Sequence, residues 1–72
     1  MVIGRAPDCD VVIQDAKASR RHCKLTRNEE GFLLEDLGSK NGTYVNGAAI
    51  SAPITLKASQ TFKIGDTIFY LA

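Results

Sequence analysis

No window of about 11 residues in this sequence shows a helical period, whereas short alternating apolar stretches closed by turn residues recur along its length. "VVI" at Val11–Ile13 is β-branched throughout and lies between Asp10 and Asp15. "HCKLTR" sets Cys23 and Leu25 on one face and His22, Lys24 and Thr26 on the other. "GFLLEDL" sets Phe32 and Leu34 opposite Leu33 and Glu35, while "TFKI" and "TIFYL" offer Phe62/Ile64 and Phe69/Leu71 as inward pairs. The turn residues fit. Asn28-Glu29-Glu30-Gly31 predicts a four-residue hairpin loop, and Ile64-Gly65-Asp66-Thr67 a bend between the last two strands. Asn46-Gly47 between "TYV" and "AAI" predicts a type I′ hairpin, whose central residues both need positive φ. Many short strands with frequent turns predict an all-β fold, a sandwich or barrel. With no repeat, linker or low-complexity segment, one domain is expected to cover residues 1–72.

A chain of 72 residues buries only about 60% of its unfolded surface, so its stability margin is narrow. Its 44% hydrophobic and 24% charged residues suit a globular domain rather than a disordered one. A net charge of +1 provides no global field for nucleic acid or anionic membrane, so any electrostatic function must come from a local cluster. No apolar run approaches the roughly 20 residues that span a bilayer. Arg5, Asp8 and Asp10 also interrupt any signal-peptide pattern. The expectation is a soluble protein without a membrane partner, cytoplasmic, or nuclear in a eukaryote. Cys9 and Cys23 could pair, but each adjoins an apolar stretch and reads as a small buried thiol. A zinc site from Cys9, Cys23 and His22 lacks both ligand spacing and a fourth ligand, so neither metal nor cofactor is expected.

Between Ala16 and Asn28 stand Lys17, Arg20, Arg21, Lys24 and Arg27, with no acidic residue. A nucleic-acid binder using this basic stretch is one reading. The near-neutral net charge and the lack of aromatic residues among these cations weaken it. A single phosphate group matches better in scale, since it needs one or two cations, a hydroxyl and a few N–H donors. Arg5 after Gly4, Ser19-Arg20, and Ser39-Lys40-Asn41-Gly42 offer such groups at strand–loop junctions, where an all-β fold can gather distant loops at one end. Enzyme readings are poor. "GSKNGT" lacks the Gly-Lys-Ser/Thr ending of a P-loop and no helical pattern follows it. Ser19 and His22 lie three apart, which in an extended segment would point them to opposite faces, so that contact would require a turn. A nucleophile–base pair also needs an orienting acid and an oxyanion hole.

"IGR" at Ile3–Arg5, "SRRH" at Ser19–His22, "LEDLGSKNGTYVNG" at Leu34–Gly47 and "IGD" at Ile64–Asp66 follow one another in this order. Together they resemble the forkhead-associated (FHA) domain, a twisted antiparallel β-sandwich that binds phosphothreonine-containing peptides. The resemblance implies a non-catalytic recognition module, with a phospho-independent interaction module on the same fold as the alternative. It implies that Arg5 contacts the phosphate, that the Ser19 hydroxyl donates to a phosphate oxygen, and that Arg20 and Lys40 face the same group. It implies that Asn41 holds the peptide main chain beside the phosphothreonine. Gly4, His22, Ser39, Gly42 and Thr43 match positions that support the site. Lys17 lies where the family often reads a peptide residue that follows the phosphothreonine, which predicts a tilt toward acidic residues there.

Two departures from the family pattern bring expectations of their own. Members usually have two more strands before "IGR", and here only Met1 and Val2 precede Ile3. The missing strands would expose a sheet edge and part of the core. The molecule is then either a trimmed fragment or one whose cover comes from another protomer, by homodimerisation or strand exchange. Ser59-Gln60 stands where members commonly have a Gly-Asp turn, which predicts an altered bend with little effect on binding.

Overall fold

A computed structural model describes residues 1–71. The elements are β1 (Val2–Gly4), β2 (Val11–Val12), β3 (Cys23–Asn28), β4 (Gly31–Asp36), β5 (Tyr44–Val45), β6 (Ala48–Ala49), β7 (Ile54–Leu56), β8 (Thr61–Ile64) and β9 (Thr67–Tyr70). They form a five-stranded sheet in the order β2-β1-β3-β4-β7 and a four-stranded sheet in the order β6-β5-β8-β9. All pairings are antiparallel except β1 with β2, which runs parallel and is extended by the Ile13 amide donating to the Gly4 carbonyl at 2.9 Å. The core between the sheets is built by Ile3, Cys23, Leu34 and Leu56 from one and Val45, Phe62 and Ile64 from the other. Burying each large side chain contributes about 1.5–3 kcal/mol. Phe62 and Phe69, directly paired across β8 and β9, stack with centroids 4.8 Å apart, and Leu71 closes the same face.

Asn46 and Gly47 take φ of 52° and 81°, the left-handed pair that a type I′ turn requires. Gly65 opens the β8–β9 turn at φ 57°. The Asn28–Gly31 connection is tighter than its four turn-forming residues suggest. Asn28 and Gly31 are themselves the last pair of the β3–β4 ladder, so only Glu29 and Glu30 form the loop. The Asn28 Oδ1 accepts the Glu30 amide at 2.9 Å, a local side-chain bond that does the work of a longer loop. At Ser59-Gln60, Ser59 adopts φ 74°, and the Lys57 amide donates to Gln60 Oε1 at 2.6 Å.

Within the described residues β9 has β8 as its one hydrogen-bonded neighbour. Its outward side chains Ile68 and Tyr70 are exposed, while the inward Leu71 stays buried. The edge is open, and Phe69 on its inner face is only partly buried.

Candidate functional site

Three connections converge at one end of the sandwich: residues 5–10 between β1 and β2, residues 13–22 between β2 and β3, and residues 37–43 between β4 and β5. Backbone bonds tie the first to the second. The Arg5 amide donates to the Ser19 carbonyl at 3.1 Å and the Ala6 amide to the Arg20 carbonyl at 3.0 Å. The Cys9 thiol donates to that same Arg20 carbonyl at 3.2 Å. Gly4 makes the approach possible, because a Cβ there would lie 2.1 Å from the Arg20 carbonyl oxygen. Ala18, buried between Lys17 and Ser19, anchors the second connection in the core.

The second and third connections meet around Ser19. The Lys40 amide donates to Ser19 Oγ at 3.0 Å, and Asn41 Nδ2 donates to the Lys17 carbonyl at 2.8 Å. His22, fully buried, joins both: Nδ1 accepts the Ser19 amide at 2.9 Å, and Nε2 lies 2.8 Å from the Gly42 carbonyl. An Nδ1 that accepts leaves the ring hydrogen on Nε2, which donates to Gly42; the neutral ring is thereby satisfied at both ends. The Leu37 amide donates to the His22 carbonyl at 3.0 Å, closing the loop from its other side.

Asp36 folds the third connection. Its carboxylate accepts the amides of Gly38 at 3.1 Å and Ser39 at 2.9 Å, the Thr43 hydroxyl at 2.8 Å, and the Ser39 hydroxyl. Ser39 Oγ in turn accepts the Gly42 amide at 3.0 Å. Burial works to raise the pKa of this carboxyl, but the hydrogen-bond donors of Ser39 and Thr43 prevail and hold it below its ordinary 3.8. Cys23 lies beneath. Burial, with the Asp36 charge adding to it, pushes its thiol up to about 12, so it is a packing group and not a nucleophile.

Arg5, Arg20, Lys40 and Asn41 are exposed around a half-buried Ser19. Among the described residues, the cationic groups of Arg5, Arg20 and Lys40 have no hydrogen-bond or ion-pair partner, whereas Lys17 lies 3.4 Å from Asp66 and Arg21 pairs with Asp8. The rest of the basic stretch disperses. Lys24 is paired across the ladder with Glu35, and the Arg27 guanidinium lies 5.9 Å from the centroid of the Phe32 ring.

Asp15 was invisible as a site residue in the sequence. Its Oδ1 accepts the Lys17 amide at 2.9 Å, and its Oδ2 accepts the Asp66 amide at 2.8 Å and the Thr67 hydroxyl at 2.9 Å. One carboxylate thus ties the second connection to the β8–β9 turn of the opposite sheet. Those amides, Lys17 first, then Asp66, together with the Thr67 hydroxyl, draw its pKa below the ordinary 3.8. Gly65 is required beside it, since a Cβ would lie 2.6 Å from Asp15 Oδ1. The signal available in the sequence was an Asp two residues before Lys17, a spacing that invites an Asx turn. Its long-range partners had none.

Next to this cluster a groove of about 610 Å³ runs over the outer face of the four-stranded sheet, with Lys17, Asn41 and Asp66 at one end and Tyr44, Lys63 and Ile68 along it. The free cations around Ser19 lie outside it, on open surface suited to a small exposed anion.

The sequence profile of the FHA domain matches residues 1–65. The FHA domain-containing protein FhaB of Mycolicibacterium smegmatis is 37% identical over 71 residues, covering 99% of this chain and 46% of that protein's length. Among solved structures, Mycobacterium tuberculosis EmbR in complex with a low-affinity phosphopeptide superposes with a TM-score of 0.88 at 32% identity, covering 96% of this chain and 18% of EmbR. The FHA domain of the Chlamydia trachomatis protein CT664 superposes with a TM-score of 0.84 at 40% identity, covering 93% of this chain and 69% of that one.

Proposed function

Because the chain belongs to the FHA domain family, we propose that it is a non-catalytic module that recognises phosphothreonine-containing segments of partner proteins with its three converging connections. The observation that carries this reading is the state of Ser19. Its Oγ already accepts the Lys40 amide, so its own hydrogen is free to donate outward, and the Arg5 and Lys40 backbones are both bonded to this residue. A phosphothreonine presents about −1.5 to −2 charge and three acceptor oxygens at neutral pH. Arg5 would meet it with a planar fork, Ser19 with a hydroxyl, and Arg20 and Lys40 with charge. Asn41 spends its Nδ2 on Lys17 and keeps Oδ1 for a peptide N–H. The superposition on EmbR, solved with a phosphopeptide, supports the assignment. The engagement of Arg21 with Asp8 and of Arg27 with the Phe32 ring, and the position of Lys24 opposite Glu35 in the ladder, argue against the basic stretch as a nucleic-acid surface.

Selectivity over phosphoserine from burial of the threonine methyl is worth about 0.8 kcal/mol, roughly fourfold, with the stiffer β-branched rotamer adding to it. The test is a titration of matched phosphothreonine, phosphoserine and unphosphorylated peptides, and of an oligonucleotide, against wild type and Arg5→Ala. Phosphate-dependent binding that Arg5→Ala weakens about 10- to 100-fold is expected. Equal binding of the unphosphorylated peptide overturns the reading.

A further inference from the structure

We propose that Asp66 is a specificity-determining residue of this site, held beside Lys17 by Asp15, where it suppresses preference for an acidic residue in the segment flanking the phosphothreonine. The inference rests on the phosphothreonine reading and deepens it.

Lys17 alone would attract an acidic flank: it is two residues from Ser19, and its carbonyl is bonded to Asn41. Its ammonium, however, lies 3.4 Å from both carboxylate oxygens of Asp66, with both side chains largely exposed at 60% and 77%. Mobile surface partners of this kind ordinarily hold little preferred geometry. Here the backbones of both residues are fixed by one group, since Asp15 takes the Lys17 amide on Oδ1 and the Asp66 amide on Oδ2. The countercharge is thus built into the frame that positions the recognition connection.

The charged groups bordering the groove are Lys17, Lys63 and Asp66. Lys63 lies between Tyr44 and Ile68 in the cross-strand register and has no ion-pair partner among the described residues. An acidic residue reaching the Lys17 end must displace Asp66 or sit against it. An uncharged side chain there meets neither cost and can lie against the exposed Ile68 and Tyr44.

The experiment compares phosphothreonine peptides with Asp or Leu placed in turn at each flanking position, bound to wild type, Asp66→Asn, and Asp66→Asn combined with Lys17→Ala or Lys63→Ala. Asp66→Asn keeps the backbone amide that Asp15 binds, and thermal melts verify the fold. At one flanking position, Asp66→Asn is expected to raise the affinity ratio of the Asp peptide to the Leu peptide by about two- to fivefold. That gain should vanish with Lys17→Ala and persist with Lys63→Ala. An unchanged ratio at every position, or a gain that survives Lys17→Ala, overturns the proposal while phosphate-dependent binding stands. Binding indifferent to phosphate overturns the underlying reading as well.

Discussion

His22 and Gly42 are joined by a 2.8 Å bond from the imidazole Nε2 to the Gly42 carbonyl, and the opposite ring nitrogen accepts the Ser19 amide. The ring therefore sets the separation of the Ser19 and Asn41 connections from inside the protein. His22→Ala removes both bonds and leaves a cavity, which should cost about 3 kcal/mol. A domain of 72 residues has about 4–11 kcal/mol in total, so urea or thermal melts should show a much-reduced midpoint. His22→Gln, which can keep one of the two bonds, should fall between.

Arg5 and Lys40 border the same serine but differ in chemistry, and their losses should differ accordingly. Arg5→Ala removes charge-assisted bonds to phosphate and should weaken phosphothreonine-peptide binding about 10- to 100-fold. Lys40→Ala removes an exposed point charge and should cost about two- to fivefold. Fluorescence anisotropy with a labelled peptide measures both, and equal losses would contradict the assigned roles.

Ser59 occupies a left-handed conformation at φ 74° without the freedom of glycine. Such a conformation costs a non-glycine residue about 1–2 kcal/mol, part of which glycine returns as unfolded-state entropy. Ser59→Gly should therefore stabilise by up to about 1 kcal/mol in chemical denaturation. Phosphopeptide affinity should stay the same, because this turn lies away from the three binding connections.

Asp15 and Asp36 both titrate below the ordinary 3.8 in the folded protein. A depressed carboxyl contributes stability that is fully present above its unfolded pKa and is lost as pH falls through the folded value. Denaturant midpoints should accordingly decline as pH drops below about 4. Asp36→Asn should be less stable than wild type at pH 7 and lose less on acidification, which paired melts at pH 7 and pH 3 would reveal.

Cys23 should resist alkylation in the native state at pH 8, because it is fully buried with its thiol pushed up to about 12. Mass spectrometry after iodoacetamide treatment should find Cys23 modified only after denaturant is added. Early native labelling of Cys23 would mean that the core opens.

The strands that alternate cleanly were legible in the sequence because their inward residues form the core: Cys23 and Leu34, Phe62 and Ile64. β7 was not, since Leu56 is the one buried residue of Ile54–Leu56 and alternation has nothing to register against. The parallel β1–β2 pairing was equally hidden, because residues 5–10 form a far shorter connection than parallel neighbours usually need. At the site, Arg5, Ser19, Lys40 and Asn41 could be marked by motif. What brings them together could not, since each of those bonds joins connections far apart in sequence and has at one end a backbone atom that every residue type possesses. Asp15 shows the limit best, as two of the three hydrogen bonds its carboxylate accepts come from Asp66 and Thr67, near the other end of the sequence.

The tethers around Ser19 run through main-chain groups and the side chains of Ser19, His22 and Asn41, while among the described residues the guanidinium groups of Arg5 and Arg20 and the Lys40 ammonium have no hydrogen-bond or ion-pair partner. The cations thus stand apart from assembly, whereas Ser19 and Asn41 serve both the tethers and the proposed recognition. Under the proposed reading, exchanging the outward cations would alter what is bound without a folding penalty, so a binding surface of this kind can drift in ligand preference, or lose its ligand altogether, while the sandwich beneath it persists.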